Sequence, residues 1–186
     1  MAWIAGDRVA LRAWERDDVQ ACWDAAQNAD ASGQRLRDWH EPPRSLYQRE
    51  QEFETFQNDT DPSVVRMVIQ ADGRAVGDID LFHIETRNRN ALVGLSIWRA
   101  EDRNRGYGTD ALRAMLRWAF RHLNLRRVEL SVEPENTRAV HVYKKLGFVI
   151  EGCRREHHYD AGCYRDELIM AVLRREFEAT DNGAAP

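Results

Sequence analysis

Two arginines and two glycines fall within the six residues Arg103–Gly108, RNRGYG, directly before a run of regularly spaced apolar residues. Glycine lets a backbone approach a ligand without hindrance from a Cβ, and arginine carries a fixed positive charge with several N–H donors. A helix that starts here adds unpaired N–H groups and a partial positive charge. On its own the hexamer is as typical of a solvated turn as of a phosphate-binding loop. The flanking sequence is needed to distinguish the two.

Two familiar phosphate-binding motifs are absent from this stretch: the Gly-Lys-Ser/Thr ending of a P-loop and the GxGxxG of dinucleotide-binding folds. What remains is Arg-x-x-Gly-x-Gly between a predicted strand, ALVGLSIW, and a predicted amphipathic helix, TDALRAMLRWAFRHL. A strand followed by a loop and a helix brings the helix N-terminus to the carboxyl end of the strand, where anions bind. The context therefore favours phosphate binding.

Hydrophobic periodicity predicts the elements that position this loop, in the order β-α-α-β-β-β-α-β-α-β-β. The first strand is DRVALRAW, a capping box of Ser45 with Gln48 opens the second helix, and Asp72-Gly73 turns a hairpin. Gly147 is expected to end the last helix. We predict a single-domain α/β fold over residues 1–175, with a mixed, mostly antiparallel sheet flanked by helices, and a frayed tail over residues 176–186.

The composition excludes several classes of protein. The 186 residues carry a net charge of -4 and no basic tract, which argues against nucleic-acid binding. No apolar run is long enough to cross a bilayer, and the N-terminus lacks the apolar core of a signal peptide, so we expect no membrane partner. Three cysteines without CxxC spacing fit a reducing, cytoplasmic location. His157 and His158 point to opposite faces of a strand, so no metal site is expected.

The loop and its context also resemble a known family. RNRGYGTDALRAM is similar to the acetyl-CoA loop, [Q/R]-x-x-G-x-[G/A], of the GCN5-related N-acetyltransferases, or GNAT superfamily. A second stretch, VEPENTRAVHVYKKLGFVIEG, resembles the strand, Asn, helix Tyr and Leu-Gly-Phe of the same family. The resemblance extends from about Asp7 to Leu173. The closing YRDELIMAVL looks like the branch that contains ribosomal-protein N-terminal and spermidine acetyltransferases.

The resemblance implies a GNAT-like fold and an acetyl-CoA-dependent N-acetyltransferase. It implies that backbone groups of one strand pair with the pantetheine arm, that the N–H groups of residues 104–109 hold the pyrophosphate, and that an Asn bonds the pantetheine or the adjoining backbone. Arg103 or Arg105 would clamp the phosphates. The expected cofactor-binding residues are Ser96, Ile97, Trp98, Arg103, Asn104, Arg105, Gly106, Tyr107, Gly108, Thr109 and Asn136.

Acetyl transfer to an amine requires an acid for the leaving thiolate and a base for the attacking nitrogen. The resemblance places Tyr143 by the thioester sulfur as the general acid, whereas the alternative is a Tyr packed on a helix face. The base has several candidates among the strand acids, each of which is more typical of a solvated or ion-paired strand residue than of a base. Glu85 and Glu129 are preferred. No cysteine is positioned as a nucleophile, so we expect direct transfer in a ternary complex.

The acceptor is expected to be a primary amine, which leaves a peptide or protein N-terminus, a polyamine and a small amine open. Trp39, Tyr47, Phe53 and Phe56 either line its pocket or form a core under the long loop, and Asp38, Glu41 and Glu50 nearby would suit an amine. A homodimer is consistent with the resemblance. The alternative function is a catalytically inactive acyl-CoA-binding regulatory module, which would keep the loop but lack a base.

Overall fold

The computed structural model describes residues 4–27, 44–160 and 162–182 of the chain. In chain order its elements are β1 (Ile4–Ala5), β2 (Ala10–Arg12), α1 (Arg16–Gln27), α2 (Leu46–Gln57), β3 (Val65–Ala71), β4 (Arg74–Glu85), β5 (Asn90–Ile97), α3 (Tyr107–Arg121), β6 (Arg127–Val132), α4 (Thr137–Lys145), β7 (Val149–Asp160), β8 (Cys163–Leu173) and α5 (Arg174–Asn182). The strands form an open sheet in the order β1-β2-β3-β4-β5-β6-β8-β7. β5 and β6 pair in parallel, whereas β6 with β8 and β7 with β8 are antiparallel, so the predicted mixed α/β fold is confirmed.

Several local signals in the sequence have the expected structure. The Ser45 side chain accepts from the backbone N–H of Gln48, whose side chain accepts in return from the N–H of Ser45, so the predicted capping box is present. Gly147 follows the end of α4 with φ of +91°, the left-handed conformation that terminates helices. These signals depend on residues within a few positions of each other, which is why the sequence reveals them.

The two ends of the chain differ from the prediction. The single N-terminal strand is instead a small hairpin of β1 and β2, because the N–H of Gly6 donates to the carbonyl of Val9 and turns the chain between them. The frayed tail is wrong for residues 176–182, which belong to α5. Phe177 is buried against Phe120, with 5.6 Å between ring centroids, and the guanidinium of Arg117 forms two hydrogen bonds with Asp181.

The chain forms two compact units. The first, Met1–Asp80 with Leu95–Met115, has β2 and β3 at its centre, where Leu11 lies opposite Ile69 and both are fully buried. The second, Leu81–Gly94 with Leu116–Pro186, is centred on β6 and β8. Its core consists of the inward side chains of these strands with apolar residues of the helices, among them Leu116, Phe120, Val128, Leu130, Met170 and Val172.

A buried carboxylate fixes the N-terminal hairpin in the first unit. Asp110 lies in the first turn of α3 and is 5% exposed. Its oxygens accept from the backbone N–H groups of Asp7, Arg8 and Val9 at 3.2, 2.7 and 3.0 Å. Three N–H groups that would otherwise lack a partner are satisfied by one side chain. The start of the chain is therefore tied to the start of α3.

Asp110→Asn is expected to lower the free energy of unfolding by about 2–4 kcal/mol, because an amide offers one acceptor oxygen and turns N–H donors towards N–H donors. Asp17→Asn is the matched control, since Asp17 lies in the first turn of α1 and is exposed. Urea denaturation followed by tryptophan fluorescence measures both. Equal stability of the two variants would contradict this role for Asp110.

Candidate functional site

The loop between β5 and α3 has an unusual backbone conformation. A short 3-10 turn, Ala100–Asp102, precedes it, and α3 begins at Tyr107. Asn104 and Gly106 have φ values of +61° and +84°, in the left-handed region that Gly and Asn adopt most readily. Alternating left-handed residues are a feature of the backbone nests whose N–H groups bind anions. The loop therefore has the geometry that the phosphate-binding prediction requires.

The two glycines of the motif have different structural roles. Gly106 needs its positive φ, and the space beside its Cα is open except for the side chain of Arg8, whose Nη1 would lie 3.6 Å from an added Cβ. A Cβ on Gly108 would instead lie 3.3 Å from Leu95 Cδ1 and 3.6 Å from Ile97 Cγ1. The missing side chain of Gly108 thus lets α3 pack on β5, and its part in binding the pyrophosphate stays a prediction.

The β3–β4 hairpin holds both ends of the loop. Before the loop, the buried carboxylate of Asp102 forms a two-pronged ion pair with Arg74, with Nη1 to Oδ2 at 2.7 Å. After it, the hydroxyl of Tyr107 donates to Asp72 Oδ2 at 2.7 Å. Asp72 and Arg74 flank the glycine of the predicted Asp-Gly turn. That turn therefore also positions the residues that would bind phosphate.

Arg8 is a candidate site residue that sequence reasoning missed. Its Nη1 donates to the carbonyl oxygen of Arg105 at 3.0 Å, which brings a third guanidinium to the loop. Nothing in the sequence connects two residues 97 positions apart. Arg103, by contrast, directs its Nε towards the carbonyl oxygen of Ile97 at 3.5 Å, at the end of β5.

The backbone at the end of β5 distinguishes between the three residues predicted to bind the pantetheine arm. The N–H of Trp98 donates to the carbonyl of Val76 on β4 at 3.0 Å, and its indole N–H donates to Asp78. Backbone groups of successive residues in a strand point to opposite sides, so Ser96 shares the β4 side with Trp98. The N–H of Trp98 therefore already has a partner on β4. The backbone N–H and carbonyl of Ile97 point away from β4.

β5 and β6 pair over part of their length. Their parallel register covers Asn90–Leu92 against Arg127–Glu129. β5 continues to Ile97 and β6 continues to Val132. Beyond the paired residues, the described part of the chain gives neither strand a partner on this side. A strand edge of this kind presents backbone donors and acceptors to an extended ligand.

The second unit contains Asn136 and Tyr143. The Asn136 side chain caps α4 by accepting from the N–H of Ala139 at 3.2 Å, a structural role that the expected pantetheine contact did not include. Tyr143 lies on α4 with its ring 5.8 Å from that of Phe148. Burial of its hydroxyl raises the pKa of Tyr143 to about 12, so this side chain holds its proton throughout the neutral range.

Both preferred base candidates have structural partners in the second unit. Glu85 accepts from the backbone N–H groups of Arg87 and Asn88, each at 2.9 Å, and so closes the turn after β4. Glu129 Oε1 accepts from Arg127 Nε at 2.9 Å. Both carboxylates thus have a structural role, and their role as the base stays a prediction.

A cleft of about 160 Å³ lies in the first unit, beside an aromatic cluster. Trp14 contacts both Trp98 and Phe56, with ring centroids 5.6 and 6.1 Å apart. Phe56 lines the cleft, whereas Phe53 is buried in the core and Tyr47 is exposed. The predicted Asp38, Trp39 and Glu41 lie outside the described residues. The cleft is lined by Ala13, Trp14, Phe56, Gln57, Asp59, Asp61, Val64 and Arg66.

Comparison with known proteins identifies the family. Residues 8–149 match the family model described as "Acetyltransferase (GNAT) domain". The chain belongs to the GNAT acetyltransferase family. The spermidine N(1)-acetyltransferase of Escherichia coli K12 is 29% identical over 171 residues, which cover 92% of this chain and 89% of the relative. A putative ribosomal N-acetyltransferase of Bacillus subtilis is 32% identical over 108 residues, 58% of each chain.

The solved structures agree with the family assignment. This GNAT chain matches a crystal structure of spermidine N-acetyltransferase from Vibrio cholerae in complex with CoA and spermine, with a TM-score of 0.80 and 27% identity over 91% of this chain and 98% of that one. The predicted fold, the acyltransferase class, acetyl-CoA as the donor and an amine as the acceptor are thereby confirmed. In the described residues, no helix combines the length and apolarity that a membrane crossing needs.

Asp102→Asn is expected to destabilise this GNAT domain in a pH-dependent way. The hydrogen bonds from Arg74 lower the pKa of Asp102 below its ordinary value of 3.8. A lowered pKa in the folded state contributes stability that is present above the ordinary value and lost as the pH falls through the lowered one. The variant should be less stable than the wild type by about 1–2 kcal/mol at pH 7, and the difference should shrink as the pH falls through the lowered pKa of Asp102.

Urea denaturation across this pH range measures the difference. Glu101→Gln is the control, because Glu101 neighbours Asp102 but is exposed. A loss of stability that does not diminish as the pH falls below the ordinary pKa of 3.8 would contradict the ion-pair explanation.

Proposed function

We propose that this GNAT acetyltransferase transfers the acetyl group of acetyl-CoA directly to a primary amine of a polyamine. The main support for acetyl-CoA binding is the anchored loop. Asn104 and Gly106 adopt left-handed conformations there, and Arg8 lies beside them. The N–H groups of residues 104–109 bind the pyrophosphate, and the guanidiniums of Arg8, Arg103 and Arg105 supply its counter-charge. Ile97 and Asn136 contribute to binding of the pantetheine arm.

The chemistry requires one bond to form and one to break. The acceptor ammonium first loses a proton, and the neutral nitrogen attacks the carbonyl carbon of the thioester. The C–N bond forms, the C–S bond breaks, and the second proton of the nitrogen neutralises the thiolate. An ordinary thiol has a pKa near 8.5, so Tyr143, with a pKa of about 12, stays protonated beside the leaving sulfur. It stabilises the developing charge by donating a hydrogen bond.

The aromatic cleft supports a cationic acceptor. Aromatic faces attract ammonium groups, and two carboxylates, Asp59 and Asp61, border the cleft against one guanidinium, that of Arg66. A hydrogen bond from the backbone N–H of Ser63 lowers the pKa of Asp61, which keeps this carboxylate charged. The relatives include spermidine acetyltransferases, one of them in complex with spermine. A polyamine fits both observations, since its several positive charges engage the two carboxylates while one amine reacts.

An acceptor screen tests this function. Wild-type protein is mixed with acetyl-CoA and with spermidine, spermine, a monoamine or a peptide with a free N-terminus, and release of free thiol is measured. We expect the highest kcat/KM with the polyamines. Asp59→Asn combined with Asp61→Asn should raise the KM for spermidine about tenfold, because two exposed charge interactions are lost. The KM for acetyl-CoA should not change.

The other outcomes of the screen have distinct meanings. Preference for the peptide would instead support the ribosomal type of acceptor that one relative suggests. Acetyl-CoA binding by calorimetry without thiol release from any acceptor would support the catalytically inactive module. A homodimer stays a prediction, which light scattering of the purified protein tests.

Tyr143→Phe tests the role of the hydroxyl. Loss of one donor to a developing charge is expected to lower kcat about 10²–10³-fold. The dissociation constant of acetyl-CoA, from calorimetry, should change less than about threefold, because the interaction is made in the transition state. Tyr164→Phe is the control, since Tyr164 is 66% exposed on β8. Unchanged turnover in Tyr143→Phe would rule out this role.

A further inference from the structure

The acceptor cleft of the first unit already contains a positive charge. The guanidinium carbon of Arg66, Cζ, lies over the ring of Phe56, 5.5 Å from its centroid. Both residues line the cleft. A cation is attracted to the face of an aromatic ring at this distance, and a guanidinium also stacks on it. A side chain of the protein therefore occupies the aromatic position that the proposed function offers to an ammonium group.

The backbone of β3 brings Arg66 to the cleft. The register between β2 and β3 pairs Arg12 with Val68. Continued by two residues past the end of β2, this register sets Trp14 opposite Arg66, and both line the cleft. The next three residues of β3 are buried, whereas Arg66 is exposed. The strand thus fixes the backbone of Arg66 beside the cleft, while its side chain remains in contact with solvent.

The two carboxylates of the cleft are positioned by the loop after α2. Asp59 Oδ1 accepts from the N–H of Asp61 at 2.9 Å, and Asp61 Oδ1 accepts from the N–H of Ser63 at 2.8 Å. Each side chain closes a short turn, which keeps its negative charge at the cleft. Hydrogen bonds from Ser63 lower the pKa of Asp61, and the charge of Arg66 lowers it further. The guanidinium therefore acts on a carboxylate of the cleft as well as on the ring.

Three charged side chains determine the net charge of the cleft. Asp59 and Asp61 contribute two negative charges and Arg66 contributes one positive charge, so one negative charge remains. Arg66 is tethered through its own backbone and is present at the cleft in every molecule, whereas a free amine has to bind from solution. A ligand therefore meets a cleft in which one of the two carboxylate charges is already offset.

We propose that Arg66 is a specificity-determining residue of the acceptor cleft, where its guanidinium takes the place of one ammonium group of the acceptor. The inference rests on the proposed function, because the cleft has to bind amines. A fixed positive charge opposes each positive charge of a ligand, so it weakens the binding of spermidine more than that of a monoamine. Specificity depends on unfavourable interactions of this kind as well as on favourable ones. Arg66 thus limits the preference for multiply charged acceptors that the two carboxylates create.

Arg66→Met tests the proposal, because methionine keeps an apolar side chain on the ring but removes the charge. Calorimetry on protein saturated with coenzyme A measures the binding of butylamine, 1,4-diaminobutane and spermidine, a series of increasing positive charge. We expect the dissociation constant to fall about twofold for each ligand charge, hence about twofold for butylamine and about eightfold for spermidine. Release of the Phe56 ring adds the same factor for every amine, so the increase with ligand charge is the decisive result.

Two further variants separate the charge of Arg66 from other effects. Arg175→Met is the matched control, since the side chain of Arg175 is 80% exposed on α5 and the variant has the same net charge as Arg66→Met. Its amine affinities should equal those of the wild type. Arg66→Lys should show the same dependence on ligand charge as the wild type, because the positive charge remains. The KM for acetyl-CoA should not change in any of the three variants.

Several outcomes would overturn the role of Arg66. These are equal amine affinities in the wild type and Arg66→Met, equal changes in Arg66→Met and Arg66→Lys, and weaker binding of spermidine to Arg66→Met. If the wild type acetylates amines in the same experiments, the proposed function stands without this inference. A wild type that binds coenzyme A but neither binds nor acetylates any of the three amines would overturn the proposed function, and the role of Arg66 with it.

Discussion

A backbone that binds an anion must hold several N–H groups in place without giving them partners of its own. Fixing one residue costs about 1–2 kcal/mol of conformational entropy, so a loop that ordered itself only on binding would lose much of its affinity. In this chain the cost is met during folding. Arg74 with Asp102 and Tyr107 with Asp72 fix the two ends of the loop, and Asp110 fixes the chain segment that carries Arg8.

The same contacts distribute charge. The protein is acidic overall, yet three guanidiniums lie in or beside the loop, and two buried carboxylates next to it have other partners. Asp102 faces Arg74, and Asp110 faces backbone N–H groups. These two acids support the loop and the segment that carries Arg8. The net charge of the whole chain is therefore a poor guide to the ligand of a small site. The local pairing of each charged side chain is a better one.

The sequence predicted what depends on near neighbours and missed what depends on contacts between distant segments. The loop, the α3 helix, the capping box and the Asp-Gly turn all follow from residues within one or two turns of chain. Arg8 and Arg105 are 97 positions apart, and Arg74 and Asp102 are 28 apart. The sequence placed Glu129 on one face of its strand but did not reveal its hydrogen bond with Arg127, which shares that face because side chains alternate along a strand.

The two glycines of the motif impose two different kinds of requirement on the chain. Gly106 adopts a positive φ, and no change in a neighbouring side chain makes this conformation favourable for another residue. Gly108 satisfies a distance between a helix and a strand, and the atoms that set this distance belong to the flexible side chains of Leu95 and Ile97. An alanine at the second position can thus be accommodated by a smaller residue on β5, whereas the first position has no such compensating partner. Substitutions at the two sites would therefore differ in whether a second mutation can restore the protein.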